Sequence, residues 1–113
     1  MRIVRRRPKM DMRLLESLVH AYLAYIKSTG EALTCSEISE IMRYSMCEAL
    51  GLETRGYSER IETLGVGAVS VLKPILAANG ADGYSVDVKR GLLEACVISI
   101  ESARRRVLEV SAV

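Results

Sequence analysis

The sequence predicts an all-α fold, a compact four-helix bundle-like domain preceded by a basic N-terminal arm. Apolar residues recur at steps of three and four in four separate segments, which is the spacing of one helical face. Capping residues precede these segments and short connections separate them, as in a helical bundle. Half of the 113 residues are hydrophobic, so residues 11–113 are long and apolar enough to form a single domain with its own core.

The first helix is predicted over residues 11–28. Asp11 suits the positive end of that helix and Lys27 its negative end, while Gly30 supplies a C-terminal stop. Its apolar face is formed by Leu14, Leu15, Leu18, Val19, Tyr22, Leu23 and Ile26.

The second helix is predicted to begin with a capping box, Thr34 followed three residues later by Glu37, and to continue through Leu50. Gly51 lies just beyond its end, and residues 51–57 form a loop. Its buried stripe consists of Ile38, Ile41, Met42, Ser45, Met46, Ala49 and Leu50.

The third segment begins at Ser58, a capping residue, and carries no charge over residues 64–72. Two interpretations remain open, a central helix surrounded by neighbours or a buried strand at 66–72, because periodicity does not separate them. The helix is favoured. Pro74 is expected to kink this helix or to restart it as a short helix that ends near Asn79.

The fourth helix follows a turn at residues 79–83 and is predicted from Ser85 or Asp87 to about residue 110. Gly91 weakens it slightly. Its apolar side consists of Leu92, Leu93, Cys96, Val97, Ile100, Ala103 and Val107.

The N-terminal arm, residues 1–10, holds five basic residues and no acidic one. They are Arg2, Arg5, Arg6, Arg7 and Lys9. The remaining chain is net negative, and residues 31–62 hold three basic and seven acidic residues. Because guanidinium groups bind phosphate oxygens in a bidentate manner and release counterions, the arm predicts contact with nucleic acid, either RNA or DNA. A solubilising terminus and docking onto an acidic partner chain are the alternatives.

The sequence contains no catalytic or cofactor motif, and neither a cofactor nor a metal is predicted. His20 is the only histidine, and Arg13 lies seven residues earlier, a spacing that an RNA-cleaving pair could use but that arises often by chance. Cys35, Cys47 and Cys96 are far apart and are interpreted as packing thiols rather than metal ligands.

Two further patterns resemble nucleic-acid motifs only weakly. Arg104, Arg105 and Arg106 spread over roughly 200° of a helix, so they cannot all face one phosphate ladder. Residues 36–43 and 44–50 could form a helix-turn-helix, but the second helix would lack the Arg, Lys, Asn or Gln that read base edges.

Composition favours a soluble cytoplasmic protein. Three widely spaced cysteines indicate reduced thiols, and the apolar stretch from residue 64 to 78 is shorter than the roughly 20 residues of a membrane span. The absence of Gln, the single Asn79 and the excess of Arg over Lys are compatible with a thermophilic source or with a biased base composition.

Surplus apolar surface on the third and fourth helices predicts self-association, most simply a two-fold dimer. The predicted interface consists of Gly65, Gly67, Ala68, Val69 and Ile98. The leading hypothesis is a non-enzymatic helical subunit or accessory protein of a nucleoprotein assembly. A protein–protein adaptor is second, and a helix-turn-helix regulator or a small ribonuclease is third.

Overall fold

A computed structural model describes residues 11–111, with side chains described as far as residue 103. This part of the chain forms four helices and no strand, which confirms the all-α prediction. The helices are α1 (Met12–Thr29), α2 (Cys35–Leu50), α3 (Glu59–Ala78) and α4 (Val86–Ser111), and one 3₁₀ turn at Ala81–Gly83 precedes α4.

The helices begin where the capping residues predict. Asp11 Oδ1 accepts hydrogen bonds from the backbone N–H groups of Arg13 and Leu14, and both bonds of the capping box form between Thr34 and Glu37. Ser58 and Ser85 accept equivalent bonds at the starts of α3 and α4. Each cap satisfies N–H groups that have no partner inside the helix, so local chemistry sets these boundaries.

The core lies where α1 and α2 each pack on both α3 and α4. Buried side chains on all four helices form one cluster in which the largest fully buried members are Tyr22, Leu14, Leu18, Ile41, Met42, Met46, Leu72, Leu76, Leu92 and Ile100. The predicted stripes supply most of this cluster. α2 additionally buries Tyr44 and Cys47, which the sequence stripe did not include.

α3 is a helix throughout, so the strand alternative at 66–72 is wrong. Pro74 lies inside this helix and does not end it, which corrects the expected restart. The expectation that neighbours surround α3 is also wrong. Val66 on its outer side is 59% exposed and Ser70 is exposed as well.

Among the described residues, α3 is the one helix long and apolar enough to cross a membrane by length and composition. The sequence estimate of a shorter apolar stretch is therefore corrected. Only 28% of its apolar window is buried, but the helix packs on α1 and α2 and carries Arg60, Glu62 and Lys73. These contacts and charges are consistent with the bundle helix of a soluble, compact globule.

Candidate functional site

The five arm residues predicted to contact nucleic acid, Arg2, Arg5, Arg6, Arg7 and Lys9, lie outside the described residues. The described chain begins at Asp11, the N-cap of α1. On α1 the side chains of Arg13, His20 and Lys27 are exposed at seven-residue intervals, so they follow one side of the helix. Neither Arg13 nor Lys27 makes an ion pair with another described residue.

Arginines in the acidic segment 31–62 differ from those two cations, because all three form ion pairs. Arg43 pairs with Glu94, Arg55 pairs with Glu53, and Arg60 Nε lies 2.9 Å from Glu37 Oε2. Each guanidinium group of this segment therefore has a carboxylate partner, which lies within the segment for Arg55 and Arg60 and on α4 for Arg43.

The helix-turn-helix alternative is wrong. Residues 35–50 form one uninterrupted helix, so no turn separates residues 36–43 from 44–50. Tyr44 and Ser45, which would open a recognition helix, are buried. This segment therefore has no separate helix to insert into a DNA groove.

The predicted interface glycines make their close contacts within one chain. A Cβ added at Gly65 would overlap the Tyr44 ring of α2, and one added at Gly67 would overlap the Tyr25 ring of α1. Ala68, on the same helix, is fully buried. Sequence reasoning located the close approach but missed the two tyrosines, which no local pattern marks.

The two remaining interface residues lie on helices that do not pack mainly on each other. Val69 on α3 is half-buried against the core, and Ile98 on α4 is 58% exposed. α3 and α4 each pack on α1 and α2 and are not among the helix pairs with extensive mutual packing. The dimer stays a prediction, and Val66 is the exposed large hydrophobic side chain of α3.

A cleft that sequence reasoning missed lies beside the C-terminal half of α2. It has a volume of about 390 Å³ and is lined by Arg43, Cys47, Glu53, Arg55, Tyr57 and Leu93. These residues come from α2 with the loop that follows it and from α4, so the chain brings two separated parts together around the cleft.

The loop at 51–57 is held over the end of α2 by specific bonds. Leu52 N donates to Cys47 O at 2.8 Å, and Thr54 Oγ1 donates to Glu48 Oε1 at 2.7 Å. Gly56 has φ of +78°, a left-handed conformation that side chains disfavour, and it places Tyr57 back toward α2. The Tyr57 ring meets the Tyr44 ring edge to face, with centroids 5.4 Å apart.

Arg43 and Glu94 form the polar wall of this cleft. Arg43 Nη1 and Nη2 donate to the two oxygens of Glu94 at 2.5 and 3.3 Å. These hydrogen bonds lower the pKa of the Glu94 carboxyl and raise the pKa of Arg43. Burial raises the pKa values of Cys47 and Tyr57, so both are neutral at pH 7 and add no charge to the cleft.

The cysteines and the histidine do not assemble a chemical site. Cys47 and Cys96 are buried and Cys35 is exposed. Burial raises the pKa of Cys96 to about 12, so this thiol is unreactive at neutral pH. Among the described residues, no three His, Cys, Asp or Glu side chains are grouped as metal ligands.

Comparisons with protein-family models, curated proteins and solved structures find no match. The argument for function therefore depends on the charges, contacts and surfaces of this chain.

Proposed function

We propose that the protein is a non-enzymatic helical subunit or accessory protein of a cytoplasmic nucleoprotein assembly, and that its Arg-rich arm binds nucleic acid. The observation that carries this proposal is the composition of the arm, which holds five basic residues and no acidic one in ten positions. In residues 31–62, each arginine already has a carboxylate partner, so these side chains are less suited to be the main phosphate contacts.

The exposed side of α1 supports the proposal, because it extends the basic character of the arm. Arg13 and Lys27 lie on that side with His20 between them, and Glu16 is the only described acidic side chain within α1. A phosphate chain bound by the arm could continue along about 20 Å of this helix, the rise between residues 13 and 27.

The test is the binding of fluorescein-labelled 30-nucleotide single strands and 30-base-pair duplexes, measured by anisotropy between 50 and 200 mM salt. We expect the triple variant R5A/R6A/R7A to bind at least about tenfold more weakly and to show a salt slope lower by about 2 to 3. The matched control K73A/K89A/R90A removes three cations from α3 and α4 and should bind as the unchanged chain does.

Equal losses in both triple variants would contradict a role specific to the arm. No binding by the unchanged chain would favour the second hypothesis, a protein–protein adaptor.

Self-association through a second copy of the chain is the other part of the proposal. Val66 and Ile98 support it, because each is an aliphatic side chain more than half exposed on a helix face. Sedimentation equilibrium at micromolar concentration should show a dimer, and V66D or I98D should shift it toward the monomer. A single species at 12.5 kDa for the unchanged chain would contradict self-association.

A further inference from the structure

The cleft beside α2 combines groups that suit the two halves of a nucleotide. Arg43 and Arg55 present guanidinium groups, while Tyr57 and Leu93 present apolar surface, around a volume of about 390 Å³. We propose that this cleft holds one unpaired nucleotide of a single-stranded nucleic acid, with the base against Tyr57 and the phosphate at the two arginines. The inference rests on the proposed function and assigns to it a second contact, on the body of the protein.

The guanidinium of Arg43 is already held in place by Glu94, so it is preorganised to bind a phosphate. Glu94 accepts two of its N–H groups, and a guanidinium has five, so three donors remain. The side chain is 39% exposed, which leaves an edge open to the cleft. An arginine held by a carboxylate loses little conformational entropy when it binds an anion.

Arg55 is the second cation that can bind the phosphate, by exchanging its present carboxylate partner. Its only ion pair among the described residues is with Glu53, two positions away in the same loop, and both side chains are at least 70% exposed. Exposed pairs of this kind contribute little and are readily exchanged for another anion. Arg55 can therefore turn toward a phosphate that Arg43 already holds.

Tyr57 provides the surface for a base. The Tyr44 ring supports it from one edge, and its hydroxyl makes no hydrogen bond with another described residue. Leu93 and the neutral Cys47 thiol complete an apolar floor next to it. A fixed aromatic ring beside apolar surface is the arrangement on which unstacked bases bind, and such stacking tolerates any base.

The cleft should take an unpaired nucleotide and not a duplex, because its ring surface needs an accessible base. Glu53 and Glu94 balance the two arginines, so a phosphate would be held here by guanidinium hydrogen bonds more than by a net positive field. Duplex bases are stacked and paired, and they cannot reach Tyr57 without being extruded. The cleft therefore predicts a preference for single strands that the arm alone would not produce.

Fluorescein-labelled dT15 and a 15-base-pair duplex test this preference with the full chain. We expect Y57L and R55A each to weaken dT15 binding at least about fivefold and to change duplex binding less than about twofold. Y84L and R90A, which alter another partly buried tyrosine and another exposed arginine, should leave both affinities unchanged. Because Arg55 is exposed, R55A remains informative if Y57L fails to fold. Undiminished dT15 binding in R55A, or equal losses for dT15 and duplex, would overturn the proposal.

A second measurement separates this cleft from the arm. Adenosine monophosphate added to ¹⁵N-labelled R5A/R6A/R7A should shift the amide signals of Cys47, Arg55, Tyr57 and Leu93 more than the rest. Absence of those shifts would overturn the cleft proposal even if the arm binds nucleic acid. Failure of the unchanged chain to bind either oligonucleotide would overturn the proposed function, and the monophosphate shifts would then decide about the cleft alone.

Discussion

α2 and α3 reverse the relation that their compositions suggest. Charged side chains are spread along α2, whose longest uncharged run is residues 44–47, yet eight of its 16 residues are buried. α3 carries an uncharged stretch of ten residues, 63–72, yet only five of its 20 residues are buried. The more polar helix is thus the more enclosed one, so the hydropathy of a helix does not reveal how many neighbours surround it.

The difference arises from which helices contact each face. The second half of α2 packs on α3 and on α4, and even Ser45 is fully buried there, with its hydroxyl donating to Met42 O. α3 meets α1 and α2 partly through glycines, against which Tyr25 and Tyr44 lie. α3 has no comparable packing on α4, so within the described residues its outer side stays open.

The sharpest test of this comparison is a matched pair of truncations, M46A in α2 and V66A in α3. Met46 is fully buried and Val66 is 59% exposed. M46A should lower the free energy of unfolding by about 2 to 5 kcal/mol, since it removes buried methylene groups and leaves a cavity. In the monomer, V66A should change it by less than about 0.5 kcal/mol. Urea denaturation followed by circular dichroism measures both.

Similar losses in the two variants would show that α3 is as enclosed as α2. If self-association covers Val66, the loss in V66A should grow with protein concentration, which distinguishes a partner chain from an internal contact.

How far the sequence predicts this fold depends on the range of the interactions involved. Helix boundaries were predicted because caps such as Thr34 with Glu37 act within four residues. The different burial of α2 and α3 was not predicted, because it depends on tertiary neighbours. The cleft was not predicted either, because there Arg43 meets Glu94 across 51 positions of the chain. The arm was singled out by charge alone and lies outside the described residues, so its role stays a prediction.

A smaller effect is expected at the α2–α3 contact itself. In G65A the added methyl group would overlap the Tyr44 ring, which is buried and cannot move freely, so the variant should lose about 1 to 3 kcal/mol of stability. G91A is the control, because a Cβ at this exposed position inside α4 meets no atom within 4 Å. G91A should gain about 0.5 to 1 kcal/mol, as alanine favours the helix. Stabilisation by G65A would show that α3 does not approach Tyr44 closely.

The smallest effect concerns the exposed start of α2, where α3 is tied to it by charge rather than by packing. The backbone N–H of Thr34 and then the Arg60 side chain of α3 donate to the Glu37 carboxylate and lower its pKa. This stabilisation is complete above the ordinary pKa of 4.5 and is lost as pH falls through the lowered value.

T34A should cost about 1 kcal/mol at pH 7, because the cap is lost. E37Q keeps an acceptor for the Thr34 N–H but cannot titrate. Its stability should therefore fall less steeply than that of the unchanged chain between about pH 5 and 3, while Glu94 maintains part of the slope in both. Thermal unfolding across that pH range decides the matter, and parallel curves for the two proteins would show that the carboxylate of Glu37 contributes nothing to this joint.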